Sequence, residues 1–182
     1  MRAPRTFLAA LLGFACVCPV HAGEAGSSEA RGWRGEGLSI EIAVLAFEGT
    51  AAFLMGRGVP SDRAREYAAD CVLRVVLRNE GAGPIDYDVR DWAVRSNGRA
   101  LTLASRDDWL GRWRSPPLEP SAATGFQLSQ LPPRQTLSSG DSAQGMITVP
   151  VARGRRFDLR FDWTTSGIRH EEELHDLRCP AP

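Results

Sequence analysis

Two histidines, His170 and His175, lie in the run His-Glu-Glu-Glu-Leu-His-Asp near the end of the chain, and imidazole among carboxylates is metal-binding chemistry. A helical zinc-protease site needs its histidines four apart on one face; these are five apart. In a strand, an odd separation sends the two rings to opposite faces. What remains is a surface metal site in which His170 or His175 is joined by Glu171, Glu172 or Asp176, with zinc as the natural ion. Copper is less well served, because Met55 and Met146 stand apart from the histidines in sequence and form no Met–His cluster.

The catalytic alternatives fail on composition or context. Every basic residue is arginine, so Schiff-base or lysine-nucleophile chemistry has no carrier. No Gly-x-Ser-x-Gly elbow presents a serine, and no glycine-rich phosphate loop is present. Asp107-Asp108 reads as the polar start of a loop rather than a glycosidase pair. Cys71 would be a nucleophile only if it escaped Cys179, and two cysteines in an exported domain are expected to form a disulfide. The expectation is a non-enzyme with no cofactor.

The composition of a binding site is found elsewhere, in Trp109-Leu-Gly-Arg-Trp-Arg-Ser-Pro-Pro117. Trp and Arg dominate binding hot spots, because each gives a large contact or several donors from one side chain. The prolines lower the entropy lost on docking. Trp109, Arg112, Trp113 and Arg114 are therefore the expected contacts to a protein or cell-envelope partner. The competing expectation is that both tryptophans fold back to cover one end of the domain. A third use of the segment would present Arg112–Pro117 to a protease as an inhibitory loop.

The elements that must position these residues are mostly strands. Leu38 to Glu48, Cys71 to Asn79, and Phe157 to Trp163 alternate apolar and polar residues, the signature of half-buried strands. Ile85, Tyr87 and Val89 continue the alternation, and a phase shift across Arg90 and Asp91 suggests a β-bulge before Trp92 and Val94. Asn97-Gly98 marks a type I′ hairpin joining Trp92–Arg95 to Ala100–Ala104. Residues 49–69 read as a long connection with a helical turn near Arg63–Ala68, and 106–124 as a surface loop. Phe126 to Leu131 reads as extended, and Met146 to Val151 as a short strand. Ile168 to Cys179 fits either an edge strand or a short helix capped by Ser166. Seven to eight strands without a long helix predict an all-β antiparallel immunoglobulin-like sandwich over 38–165. A flexible leader at 23–37 precedes it, and a tail at 166–182 is tethered by Cys71–Cys179.

Two stretches carry a family resemblance. Leu73-Arg-Val-Val-Leu-Arg-Asn79, its small-residue turn and Trp92 to Gly98 form the first; Leu137-Ser-Ser-Gly140-Asp to Gly145-Met-Ile-Thr-Val-Pro150 forms the second. Together with Phe157 to Trp163 they resemble a bacterial extracytoplasmic family of immunoglobulin-like, or telokin-like, domains of unknown function. The resemblance implies a sandwich fold and no particular chemistry.

Residues 1–22 read as a secretory signal peptide: Arg2 and Arg5, the apolar Phe7–Val17, then Val20-His21-Ala22 before the cleavage point. Gly13 is poor where a lipoprotein signal carries leucine before its cysteine, so acylation at Cys16 is not expected. The chain balances 22 basic against 22 acidic residues, and loss of Arg2 and Arg5 leaves a slight negative excess. Near-neutrality argues against nucleic acid and anionic membranes as partners. A periplasmic or secreted location is expected, with no transmembrane segment in the mature chain.

Overall fold

The computed structural model describes residues 30–181; the expected signal peptide and residues 23–29 of the expected leader lie outside them. Ten strands and four helices follow in the order β1 (Arg31–Gly35), β2 (Leu38–Val44), α1 (Phe47–Met55), α2 (Ser61–Ala69), β3 (Cys71–Asn79), β4 (Ile85–Asp88), β5 (Ala93–Ser96), β6 (Arg99–Thr102), α3 (Arg106–Arg112), α4 (Pro120–Ser129), β7 (Arg134–Leu137), β8 (Ser142–Val149), β9 (Arg156–Thr165) and β10 (Ile168–Arg178). The strands make a four-stranded sheet ordered β1-β2-β3-β8 and a six-stranded sheet, all named pairs antiparallel.

Alternation dictates the facing of the sheets. Leu73, Val75 and Leu77 of β3 meet Phe157, Leu159, Phe161 and Trp163 of β9 in one core, joined by Leu38, Ile40 and Ile42 of β2. In the second sheet, β10 runs the whole length of one edge of β9, while β5 and β4 divide the other edge between them. Where neither reaches, Trp92 Nε1–H donates to the Asp162 carbonyl at 3.2 Å. Asn79, buried at the end of β3, donates to the Gly83 and Leu137 carbonyls at 2.7 and 2.8 Å and accepts from Gly81 N–H, tying two turns together. Asn97 and Gly98, at φ 51° and 73°, make the β5–β6 turn.

Several expectations need correction. The fold is not all-β: the other face of the four-stranded sheet is covered by α1 to α4, so Val72 of β3 and Met146 of β8 are buried in a second core beneath helices. The leader contributes β1, whose Trp33 packs on Phe161 and Trp163. Residues 49–69 are largely α1 and α2. The phase shift at Arg90 and Asp91 is a short 3₁₀ turn, Val89–Asp91, capped by Asp88, not a bulge. The ambiguous tail is β10, an integral strand that enters through Ser166-Gly167 at φ 52° and 77°. The Cys71–Cys179 disulfide is formed. No described helix is long and apolar enough to cross a membrane.

Candidate functional site

The segment 106–124, expected as a surface loop, folds into α3 and the start of α4. Ser105 caps α3: its hydroxyl accepts from Asp108 N–H at 3.2 Å, and the Asp108 carboxylate accepts from Ser105 N–H at 2.8 Å. The Ser105 hydroxyl also donates to the Asp108 carboxylate at 2.7 Å, and this bond, with the one from Ser105 N–H, holds the carboxyl below its ordinary range. Trp109 and Trp113, four residues apart, then fall on one helical face. Both are interior, at 1% and 2% exposure. Neither is exposed to meet a partner, and neither covers an end of the sandwich: both pack between the helices and the outer face of the four-stranded sheet.

Their environment explains the burial. Tyr67 of α2 stands against Trp109, Trp113 and Phe126, with ring centroids 5.0, 6.4 and 5.4 Å away. Each polar handle in the cluster is used. Trp109 Nε1–H donates to Thr148 Oγ1 at 2.8 Å, Trp113 Nε1–H to Glu66 Oε2 at 2.8 Å, and Tyr67 Oη to Gln130 Oε1 at 2.7 Å. Burial pushes the Tyr67 phenol far above its usual range. Arg112 and Arg114 are exposed, but Arg112 lies over the Trp109 ring, 4.5 Å from its centroid, and does not combine with the tryptophans into a docking face. The connection expected as an inhibitory loop is tied down where Arg63 donates to the Pro116 carbonyl at 3.0 Å.

The two histidines are separated as strand alternation requires. His170 pairs with Trp163 across the strands and stacks on its ring, on the core-facing side. His175 stands on the outer face beside Asp158 and Glu173, with Nδ1 at 3.6 and 4.0 Å from their carboxylates. They lie on opposite sides of the strand, and among the described residues no group of three ligands joins either to Glu171, Glu172 or Asp176. Among the described residues, the group that meets is Asp158, Glu173 and His175.

The helical layer has its own opening. A cavity of about 460 Å³ lies where α1 and the end of α4 face β3 and β8. Leu45, Phe53, Leu128 and Met146 give it apolar walls; Arg57 and Arg74 are the charged residues lining it, with no acidic side chain among the lining. Phe53 is 40% exposed and Leu128 81%. The Arg57 guanidinium sits 3.5 Å from the Phe53 ring centroid. Arg74 donates to Glu41 at 3.2 Å, an exposed pair that costs little to rearrange.

Gly145 permits the floor. A Cβ there would stand 2.1 Å from the Leu131 nitrogen, because residues 130–131 cross β8 at this point and Leu131 N–H donates to the Met146 carbonyl at 3.0 Å. Leu128 is exposed for a geometric reason. Read as a strand, Phe126 and Leu128 share a face; in α4, two positions turn about 200°, so Phe126 is buried and Leu128 points outward. Sequence reasoning missed Phe53, Leu128, Arg57 and Arg74. The signal that would have found α3 is Ser105-x-x-Asp108 followed by Trp109 and Trp113 at helical spacing.

No protein-family model matches the sequence, and no curated protein does. Among solved structures, the yjhA protein of Bacillus subtilis aligns with 79% of this chain and 96% of its own, at 12% identity and a TM-score of 0.44. A functionally unknown protein of Listeria monocytogenes EGD-e aligns with 85% of this chain and 87% of its own, at 9% identity and a TM-score of 0.44. For the ycdA protein of Bacillus subtilis the values are 59% of this chain, 15% identity and a TM-score of 0.38; the chain spans only 30% of that protein's length. Likeness at this level carries no argument about activity.

Proposed function

We propose that this chain is a non-catalytic, exported binding domain whose α1–α4 groove takes the apolar tail of a small anionic amphiphile, an acyl chain ending in a carboxylate. The observation that carries the reading is the pair of exposed apolar side chains, Phe53 and Leu128, at an arginine-lined cavity. The volume lies in the range of small-ligand sites, about 300–1,000 Å³. An apolar body fits the walls, and an anion fits Arg57 and Arg74. The disulfide supports an oxidising compartment, in keeping with the expected signal peptide and the resemblance to extracytoplasmic immunoglobulin-like domains.

The test is dodecanoate binding, followed by calorimetry, with dodecanol as the neutral comparison. Gly49 lines the groove, and a Cβ there meets nothing within 4 Å, so Gly49→Leu is expected to project into the cavity mouth. Gly49→Leu and Leu128→Asp are each expected to weaken dodecanoate by at least about tenfold, a loss of about 1.4 kcal/mol. Dodecanoate is expected to bind more tightly than dodecanol, and Arg57→Gln/Arg74→Gln to remove that preference. Equal binding of both probes, or binding unaffected by Gly49→Leu, would overturn the reading.

A further inference from the structure

We infer that Asp158, Glu173 and His175 form a divalent-cation site on the outer face of the β9–β10 ladder, opposite the sandwich core and independent of the groove. Three ligand atoms, one from each residue, lie within 4.8 Å of one another. An imidazole and two carboxylates are a recognised donor set for zinc. At zinc–ligand distances of about 2.0–2.2 Å, tetrahedral geometry places neighbouring ligand atoms roughly 3.4 Å apart. The Nδ1 of His175 is already 3.6 Å from Asp158 and 4.0 Å from Glu173, so small side-chain rotations close the set. His175, at 68% side-chain exposure, has room to make them, and one face stays open for water.

The strand geometry prepares the arrangement. Leu174 pairs with Leu159, but Leu177 pairs with Phe157, so β10 carries one extra residue between them. Asp176 takes the bulge at φ 57°. Leu177, instead of Asp176, thereby reaches the core, while His175 keeps the outward side with Glu173. Asp176 N–H donates to Asp158 Oδ1 at 2.9 Å and fixes that carboxylate from one side. Two nearby cations are occupied: Arg156 binds the Asp176 carboxylate, and Arg160 lies 3.4 Å from Glu171, while Arg95 of β5 stands across from Asp158 in the ladder. Two carboxylates thus converge on one imidazole while the arginines of the same strand serve other partners.

Zinc titration of the full chain after chelator dialysis, read by competition with a chromophoric indicator and by thermal midpoint, tests the assignment. One equivalent is expected to bind saturably, and the midpoint to rise with zinc concentration. His175→Ala and Asp158→Asn are each expected to weaken binding by at least about tenfold, judged by the loss typical of disturbed metal sites. His170→Ala is expected to leave binding unchanged. Absence of saturable binding, binding untouched by His175→Ala in a folded variant, or binding abolished by His170→Ala would each overturn it.

Discussion

Trp109→Ala is expected to lower folding stability by about 3–5 kcal/mol, the usual result of deleting a buried tryptophan. The side chain is fully interior, contacts Tyr67 and Trp113, and gives its indole N–H to Thr148 of β8. Removing it opens a cavity between the helices and the sheet. It also leaves the Thr148 hydroxyl with only the long 3.4 Å contact to the Ala104 carbonyl. Trp109→Phe keeps most of the apolar volume and is expected to cost less. Urea denaturation followed by far-ultraviolet circular dichroism measures both. A loss below about 1 kcal/mol for Trp109→Ala would mean the residue does not hold the helical layer.

Replacing both Cys71 and Cys179 by alanine is expected to cost about 2–5 kcal/mol. The bridge spans 108 residues and ties the start of β3 to the segment after β10. The chain-entropy model gives about 4.7 kcal/mol for a loop of 100 residues. The measured value should fall short of that figure, because the unbridged denatured chain is more compact than the random coil the model assumes. Denaturant midpoints of wild type and variant, with and without reductant, make the comparison. Reductant should lower the first and leave the second unchanged; identical midpoints in all four samples would contradict the assignment.

The strands were legible because their burial has period two. Cys71 to Asn79 and Phe157 to Trp163 form β3 and β9 with nearly the bounds their alternation gives, and Asn97-Gly98 makes the expected hairpin. The helical layer was not legible by that criterion. Phe47–Met55 has Glu48-Gly49-Thr50 followed by an unbroken apolar run from Ala51 to Met55, so its buried face does not stand out, and Gly125 and Pro132-Pro133 disguise α4 as an extended segment. Arg31–Gly35 has a single large apolar residue, Trp33, and becomes a strand only by pairing with β2. The metal set was half visible. His175 could be named from its type, but Asp158 lies 17 positions earlier and joins it only through the β9–β10 register.

The same misreading displaced the binding site. Tryptophan and arginine at 109–114 have interface composition, but a hot spot must be exposed before it can be met, and the helix turns both indoles inward. At the cavity the helices leave Phe53 and Leu128 outside, with Met55 exposed beyond it. Their exposure beside the cavity is what the proposed acyl ligand would cover.

Amide chemical-shift mapping of the isotope-labelled chain during dodecanoate titration addresses that claim most directly. The account predicts that the largest shifts fall on Gly49, Phe53, Leu128, Ser129 and Gly145, the residues around the cavity. Shifts centred instead on Arg112 and Arg114, on another face, or absent at saturating probe would contradict it.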